Sequence, residues 1–396
     1  MRLMDMSGKK GGEEMKILNI EWKAFCNDDI KAAFTAEGHS VIGFPFSKME
    51  DTRNNPEVES RLAAVLHKEV PDAVFSFNYY PVISKVCEKE KIRYLSWVYD
   101  CPHVSLYSYT ILNPCNTVYV FDRELYMEFH REGIRTVRYL PLAANTERLD
   151  QMDQDGKTDY QYDISMVGAL YTEVHRLFDR MKDLSDYTQG YLNGLMTAQM
   201  KVHGCNFIQE SLGPVMDELC SALPLEPNPD GAETKEYLFA QYVINRKITG
   251  MERTALLSAI TSEHNFDLFT FDGSFTMPNL CNHGFVEPYE QMPKIFKQSR
   301  INLNITLRSI QSGIPLRGFD ILGAGGFLLS NFQADFLELF VPEEDFVYYE
   351  NEADLLRKID YYLLHEDERE AIARSGHDKV AAKHTFRHRV REILDF

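Results

Sequence analysis

The chain of 396 residues has no long apolar segment and no cysteine motif. No stretch approaches the roughly 18 uncharged apolar residues that a membrane-spanning helix needs, so no transmembrane segment is predicted. The seven cysteines are scattered and odd in number, and none forms a C-x-x-C pair. This pattern argues against both a disulfide framework and a zinc site. The histidines show no metal-binding spacing either.

The chain is also short of positive charge, with 60 acidic and 42 basic residues and a formal net charge of −18. Such a chain is repelled by phosphate backbones and anionic lipid, so nucleic acid is not an expected partner. One phosphate compound can still bind, because a helix terminus and one arginine suffice locally. Residues 1–14 are charged and glycine-rich without the apolar core of a signal peptide, which predicts a disordered tail and a cytoplasmic location.

Strand and helix patterns divide the remaining chain into two parts, as its length predicts. Short apolar runs alternate with helical patterns over residues 15–145, which indicates a parallel sheet covered on both faces. A polar linker is expected at 146–162. The alternation returns over 163–382, interrupted at about 175–260 by a helical insertion, and residues 383–396 form a last helix. The sequence therefore predicts two doubly wound α/β domains with a ligand cleft between them.

The most informative segment is Ile314–Asn331, IPLRGFDILGAGGFLLSN. Pro315 stands where a helix would begin, since its fixed φ suits the first turn and its missing N–H costs nothing there. Gly325 stands where the helix would end, in the left-handed conformation that glycine favours. A short helix beginning at Leu316 presents free N–H groups and a positive dipole end, which is a binding site for a diphosphate.

Two charged residues of this helix fit the same ligand. Arg317 lies in the first turn and offers a bidentate phosphate donor. Asp320 follows three residues later on the same face, and its carboxylate can accept ribose hydroxyls. The alternative is an ordinary amphipathic helix with a surface ion pair.

Several stretches resemble the CgeB-like (spore maturation protein) branch of the bacterial GT-B glycosyltransferases. They are Leu95–His103, Val120–Arg123, Tyr139–Asn145, Val167–Leu170, Asn302–Thr306 and Pro315–Asn331. The resemblance implies a GT-B fold, in which two Rossmann-like domains face each other across a cleft and the final helix crosses back to the first domain.

The same resemblance gives Asp320 a place in the family pattern. In related enzymes an acidic residue before an A-x-G turn holds the donor ribose, and Asp320 occupies that position where many relatives have Glu. The retaining members have a second Glu eight residues earlier, where this chain has Ser312. Retaining chemistry is therefore not inferred.

Two further strand-end loops are implied as donor sites. Gly168 would let the backbone approach the donor phosphates, with Arg176 on the next helix reaching the same group. Gly284, Phe285 and Val286 would hold the nucleobase through backbone contacts. The alternatives are a plain turn glycine, a solvated arginine and a loop that only enters the next helix.

The acceptor side is predicted at the strand ends of the first domain. Asp100 and His103 are close titratable groups after a strand, with Asp100 preferred as the base that deprotonates the acceptor. Asp100 can instead cap a turn. In the first loop, Trp22 can stack on a sugar, whereas Asp28 or Asp29 is expected to cap the following helix.

These observations predict transfer of a sugar from a nucleotide diphosphate sugar to an unidentified acceptor, namely a protein, a glycan or a small molecule. No strand-end loop carries a D-x-D triplet, so the enzyme is expected to need no metal and no cofactor beyond its donor substrate. The alternatives are a nucleotide-sugar epimerase of the same architecture and a non-catalytic spore or cell-surface assembly protein that retains the fold.

Overall fold

The computed structural model describes residues 14–22, 25–47, 51–152, 160–172 and 176–395, so the predicted tail lies almost wholly outside the described residues. The strands are β1 (Lys16–Glu21), β2 (Ser40–Pro45), β3 (Ala73–Phe77), β4 (Arg93–Val98), β5 (Asn116–Val120), β6 (Val137–Tyr139), β7 (Tyr162–Val167), β8 (Phe266–Phe269), β9 (Leu280–Asn282), β10 (Ser299–Asn304), β11 (Leu328–Asn331) and β12 (Val347–Tyr349). The α-helices are α1 (Asn27–Ala36), α2 (Pro56–Glu69), α3 (Pro81–Glu90), α4 (Arg123–Arg131), α5 (Thr146–Gln151), α6 (Leu177–Arg180), α7 (Asp186–Met200), α8 (Ile208–Ser211), α9 (Met216–Ala222), α10 (Lys235–Leu238), α11 (Asn245–Thr261), α12 (Met292–Gln298), α13 (Leu316–Gly323), α14 (Phe336–Leu339), α15 (Glu352–Leu364), α16 (Glu366–Lys383) and α17 (Phe386–Leu394). None of the helices in these ranges is both long enough and apolar enough to cross a membrane.

The first sheet is wholly parallel, with strand order β2-β1-β3-β4-β5-β6. Its central strand β3 reads Ala-Val-Phe-Ser-Phe and is buried at every position. A continuous apolar run of this kind is what a parallel strand covered on both faces requires. The helices between the strands supply that cover.

The second sheet is also parallel, with order β12-β11-β10-β7-β8-β9. If β7 is counted as the first strand and the sheet is read from β9 to β12, this is the 3-2-1-4-5-6 order of dinucleotide-binding folds. Successive strands are added on one side of β7 up to β9 and on the other side from β10 onward, so the topological switch point lies between β7 and β10. The two sheets confirm the predicted pair of doubly wound domains. The sequence did not predict the edge strand β9, because its three residues are exposed or only half-buried and form no buried apolar run.

Helices α6 to α11 lie between β7 and β8, with a π-helical turn at Phe239–Ile244, and they have an apolar core of their own. This helical insertion also reaches the first domain. The Tyr109 N–H donates to the Asp230 carbonyl at 2.8 Å, and the Asp230 carboxylate lies 2.7 Å from the Arg53 guanidinium. The insertion therefore joins the two domains at one side of the cleft.

The C-terminal helix α17 packs on the first domain. Phe386 lies edge-on to Trp97 of β4 with ring centroids 5.8 Å apart, and both Arg387 and Arg391 pair with Glu37 at the end of α1. Within the predicted linker 146–162, α5 comes first and β7 begins at Tyr162, while residues 153–159 lie outside the described part of the chain.

The loop between β10 and α13 packs directly on the first domain. The closest approach is at Gly313, where an added Cβ would lie 2.9 Å from both the Asp122 Cα and the Phe121 ring. No side chain fits at this position without separating the loops.

We expect Gly313→Ala to destabilise the protein by about 1–3 kcal/mol, because the added methyl group overpacks the contact between the domains. Gly213→Ala is the matched control, since Gly213 lies in the insertion and a Cβ there meets no atom within 4 Å. Thermal unfolding of both variants measures the difference. Equal melting temperatures would show that the contact is not rigid.

Candidate functional site

A buried guanidinium lies at the topological switch point of the second sheet, between β7 and β10. Arg253 on α11 is only 9% exposed, and it donates to the carbonyl oxygens of Ala169 and Ile305, which follow β7 and β10. A Cβ added to Gly168 would lie 3.7 Å from this guanidinium. The backbone after β7 and a fixed positive charge therefore meet at the strand ends, where doubly wound folds bind their ligands.

Sequence reasoning missed Arg253. It follows Glu252 within a long helical stretch, where a neighbouring pair of opposite charges normally indicates a solvated face. In the structure Glu252 is buried against Arg308, with a shortest oxygen–nitrogen distance of 2.6 Å. Only the placement of α11 over the strand ends distinguishes this pair of residues from a surface pair.

The predicted helix of the nucleotide segment is α13. Pro315 precedes it with ψ of 155°, the helix runs from Leu316, and Gly325 follows it in the left-handed region at φ 78°. Arg317 and Asp320 lie on one face with 3.4 Å between their nearest charged atoms. The predicted start and end of this helix and the shared face are confirmed.

The two charged side chains of α13 are largely withdrawn from solvent, at 27% exposed for Arg317 and 15% for Asp320. Arg317 also contacts the sulfur of Met292 and lies over the Phe296 ring at 5.4 Å. This packing limits the number of directions in which the guanidinium can point.

The electrostatics of this group favour an anionic ligand. Burial raises the pKa of Asp320 to about 6, with the positive charge of Arg317 opposing the shift and Asp29 adding to it. Burial also lowers the pKa of Arg317; Asp320 opposes this shift, and the repulsive charge of Arg253 adds to it. Arg253 is thus close enough to Arg317 to repel it, and a bound anion beside the start of this helix would relieve that repulsion.

Across the cleft, Asp29 of α1 does not cap its helix as predicted. The residue before α1, Cys26, makes no side-chain cap, and Asp29 instead accepts from Asn145 at 2.7 Å and from Arg148 at 3.0 Å. Arg148 also donates to the Tyr289 carbonyl at 3.1 Å, and the Tyr289 hydroxyl accepts from the Cys26 N–H at 2.8 Å. This network fastens the first loop of one domain to the other.

Asp100 and His103 follow β4, in a loop that contacts the second domain through Cys101 and Val104. The Asp100 carboxylate accepts from the Asn78 side-chain amide at 2.8 Å, and the Asn78 amide oxygen accepts from the Asp100 N–H at 3.2 Å. The Nε2 atom of His103 lies 2.8 Å from the Tyr79 carbonyl oxygen. The next residue along, Val104, donates its N–H to the Tyr242 hydroxyl of the insertion at 2.9 Å, which places this loop at the cleft.

The predicted sugar platform at Trp22 is not available. The Trp22 ring is 6% exposed, stacks on Tyr99 at 6.1 Å and donates from Nε1 to the Phe77 carbonyl at 3.0 Å. Trp22 belongs to the core of the first domain, because its ring packs against apolar neighbours there and its Nε1 atom has a hydrogen-bond partner.

The loop after β9 carries the three predicted base-binding residues. Gly284 is left-handed at φ 75°, and its N–H donates to the Asn282 side chain at 3.0 Å. The Phe285 ring stacks on Phe271 with centroids 4.9 Å apart, and both rings are exposed, at 58% and 72%. Val286 is half-buried. The loop therefore presents backbone groups beside an open aromatic surface.

Arg176 lines a cavity of about 500 Å³ beside the loop after β7. The cavity is lined by Tyr171, Thr172, Arg176, Tyr242, Arg246 and Lys247, among others. The Arg176 guanidinium donates to the Thr172 carbonyl oxygen. A second cavity of about 560 Å³ lies near the starts of β10 and β11, and Gly325 is the predicted site residue that lines it.

Comparisons with known proteins agree with this architecture. A family described as glycosyl transferase-like matches residues 252–395. A glycosyltransferase from Rickettsia africae superposes with TM-score 0.52 at 12% identity, over 97% of this chain and 99% of that one. A sucrose-phosphate synthase from Thermosynechococcus elongatus gives 0.52 at 10% identity, over 96% and 98%. The HepE protein of Anabaena, in complex with UDP-glucose, gives 0.50 at 10% identity, over 96% and 99%.

The chain has the GT-B fold. Its two Rossmann-like domains correspond to the domains of these solved structures. Sequence identities this low establish a shared fold and nothing more. No protein of curated function matches the sequence.

The carboxyl group of Asp320 should titrate near pH 6, and Arg317→Met should raise that value, because the lost positive charge no longer favours the carboxylate. Carbon-13 NMR of labelled aspartate measures both titrations. Arg357→Met is the control, since Arg357 pairs with Asp354 on the surface with 76% of its side chain exposed. An Asp320 value at or below the ordinary range would contradict the described burial.

Proposed function

We propose that this protein is a glycosyltransferase that binds a nucleotide diphosphate sugar in the cleft between its two domains. The observation that carries the proposal is the Arg253 guanidinium between the ends of β7 and β10, electrostatically coupled to Arg317 at the start of α13. A diphosphate is the ligand that needs several fixed positive groups together with free backbone N–H donors. The HepE complex with UDP-glucose, on the same fold, supports this donor class.

In this proposal, each part of the donor is assigned to a group of residues. The diphosphate lies against the start of α13 at Pro315 and Leu316, with Gly168 allowing its close approach. The Asp320 carboxylate accepts the ribose hydroxyls. The base lies along the backbone of Gly284, Phe285 and Val286.

The proposed reaction replaces one bond at the anomeric carbon of the sugar with another. The bond to the diphosphate oxygen breaks, its electron pair stays with the phosphate, and an acceptor oxygen forms the new bond. Arg253 and Arg317 stabilise the charge that develops on the departing diphosphate. These fixed charges take the role that a metal ion has in other glycosyltransferases, so no metal or cofactor is part of the proposal.

Asp100 is the proposed base that takes the proton of the acceptor hydroxyl. The Asn78 side chain fixes its carboxylate, and the loop that carries it touches the second domain through Cys101, whose thiol donates to the Ser309 carbonyl at 3.2 Å. His103 is held against the Tyr79 backbone and is the second choice.

We further assign the chain to the CgeB-like branch of bacterial enzymes, from the sequence stretches given above, and we place it in the cytoplasm. Its seven free cysteines support a reducing compartment. The acceptor, whether a protein, a glycan or a small molecule, is not specified by these contacts.

Binding of UDP-glucose should stabilise the protein against heat, and Arg317→Met should weaken that binding by about 10- to 100-fold, because a charged hydrogen bond is worth about 1.5–3 kcal/mol. Arg253→Lys should act in the same direction, since lysine keeps the charge but loses the two-pronged geometry. Calorimetric titration measures the affinities, with Arg357→Met as the control.

The binding experiment includes UDP, GDP, dTDP and CMP sugars, so that one unsuitable base does not decide the result. Absence of binding to all of them would overturn the donor site. Release of nucleotide that depends on an added acceptor supports transfer, whereas conversion of the donor sugar without any acceptor would indicate an epimerase.

Asp100→Asn should lower turnover by about 10²- to 10⁴-fold while leaving donor affinity within about twofold, because the carboxylate acts on the acceptor proton and not on the donor. His103→Gln should change turnover by less than about tenfold, since in this proposal His103 only positions the loop. Steady-state rates and donor titrations on both variants separate the two residues. The reverse order of effects would make His103 the base.

A further inference from the structure

Three side chains of different chemistry meet at the outer edge of the second sheet. Asp267 of β8 and Cys281 of β9 are partners in the parallel register, so their side chains lie side by side on one face. His283 follows Cys281 by two residues and lies on the same face. Each of the three is at least partly exposed to solvent.

The ligand atoms of these residues are close enough to share one ion. One carboxylate oxygen, the thiol sulfur and one imidazole nitrogen all lie within 4.8 Å of one another. The His283 Nε2 atom lies 2.7 Å from an Asp267 oxygen. Ligand atoms around a tetrahedral ion with bonds of about 2.0–2.3 Å lie about 3.3–3.8 Å apart, so small side-chain movements bring these atoms to that spacing.

The histidine ring is held in place by aromatic neighbours. It stacks on Phe269 with centroids 4.5 Å apart and 13° between the planes, and Tyr162 lies edge-on at 5.6 Å. The His283 N–H of the backbone donates to the Leu268 carbonyl at 2.8 Å, which continues the ladder between the strands. The imidazole therefore loses little freedom when it binds an ion.

We propose that Asp267, Cys281 and His283 bind a zinc ion, with water completing four-coordination. A thiolate, an imidazole and a carboxylate together match zinc and disfavour magnesium and calcium, which take oxygen ligands. Cys281 binds as the thiolate, and its proton passes to solvent. The ion replaces the direct contact between His283 and Asp267.

This site shares no residue with the proposed donor site and does not depend on it, but it adjoins that site, because His283 directly precedes Gly284. It joins the edge strand β9 to β8 just before the loop at Gly284, so its effect is to fasten an edge strand of only three residues. A second cluster, Glu263, His264 and Asp360, also brings ligand atoms together, but it lacks sulfur and its two carboxylates are exposed.

The test is titration of the full-length protein with Co²⁺, a spectroscopic substitute for Zn²⁺ that gives a sulfur-to-metal band in the near ultraviolet only when a thiolate binds. One equivalent of Co²⁺ should produce this band together with the visible bands of a tetrahedral Co²⁺ ion. Added Zn²⁺ should displace the Co²⁺ and remove the bands. Cys281→Ser should abolish the sulfur band. Asp267→Asn and His283→Gln should each weaken binding at least about tenfold.

Cys205→Ser is the matched control, because Cys205 is also an exposed cysteine but lies in the helical insertion. It should leave the titration unchanged, and circular dichroism confirms that each variant is folded. Absence of the sulfur band in the wild-type protein, or its survival in Cys281→Ser, would overturn the proposal. Oxygen- and nitrogen-only binding at Glu263, His264 and Asp360 gives no sulfur band and counts against it as well.

Discussion

The relation between the two domains depends on one buried carboxylate, that of Asp122. It begins α4 by accepting from the Glu124 N–H at 3.0 Å, and it also accepts from the second domain, from the Gln311 N–H at 2.6 Å and the Ser312 hydroxyl at 3.0 Å. The residue is 1% exposed. A buried carboxylate is tolerated only when donors surround it. The donors to Asp122 come from both domains, so separating the domains would leave this carboxylate short of partners. The contact therefore holds the domains in one arrangement.

That arrangement fixes the positions of charged and polar side chains on both sides of the cleft. The loop that donates to Asp122 leads directly into α13, so the positions of Arg317 and Asp320 follow from the contact. The carbonyl of Ser309 in the same loop accepts from Cys101, the neighbour of Asp100. One loop thus positions the groups of both the proposed donor site and the proposed acceptor site, and burial in this arrangement raises the pKa of Asp320.

The sequence was informative where structure depends on neighbours along the chain. Pro315 and Gly325 predicted the start and end of α13 because their effects are local. Continuous apolar runs predicted the buried parallel strands. Arg253 was missed because its role arises from a helix that crosses the strand ends. Asp29 was misassigned as a cap for the same reason, since its partner Arg148 lies 119 residues away. The short strand β9 pairs only at an exposed edge, so it needs no apolar pattern.

The residue at position 312 shows how the junction constrains a single side chain. Ser312 donates its hydroxyl proton to Asp122, whereas a carboxylate at this position would face Asp122 with no proton to donate. A second carboxyl group, that of Asp335, lies at the same junction: its N–H donates to the Ser312 carbonyl at 3.0 Å, and its carboxylate accepts from the Arg123 N–H at 3.2 Å. Burial and the charge of Asp122 raise the pKa of Asp335 to about 6. A third carboxylate would cost more than this site can offset. Serine suits this position because its hydroxyl donates to Asp122 without adding a charge to the junction.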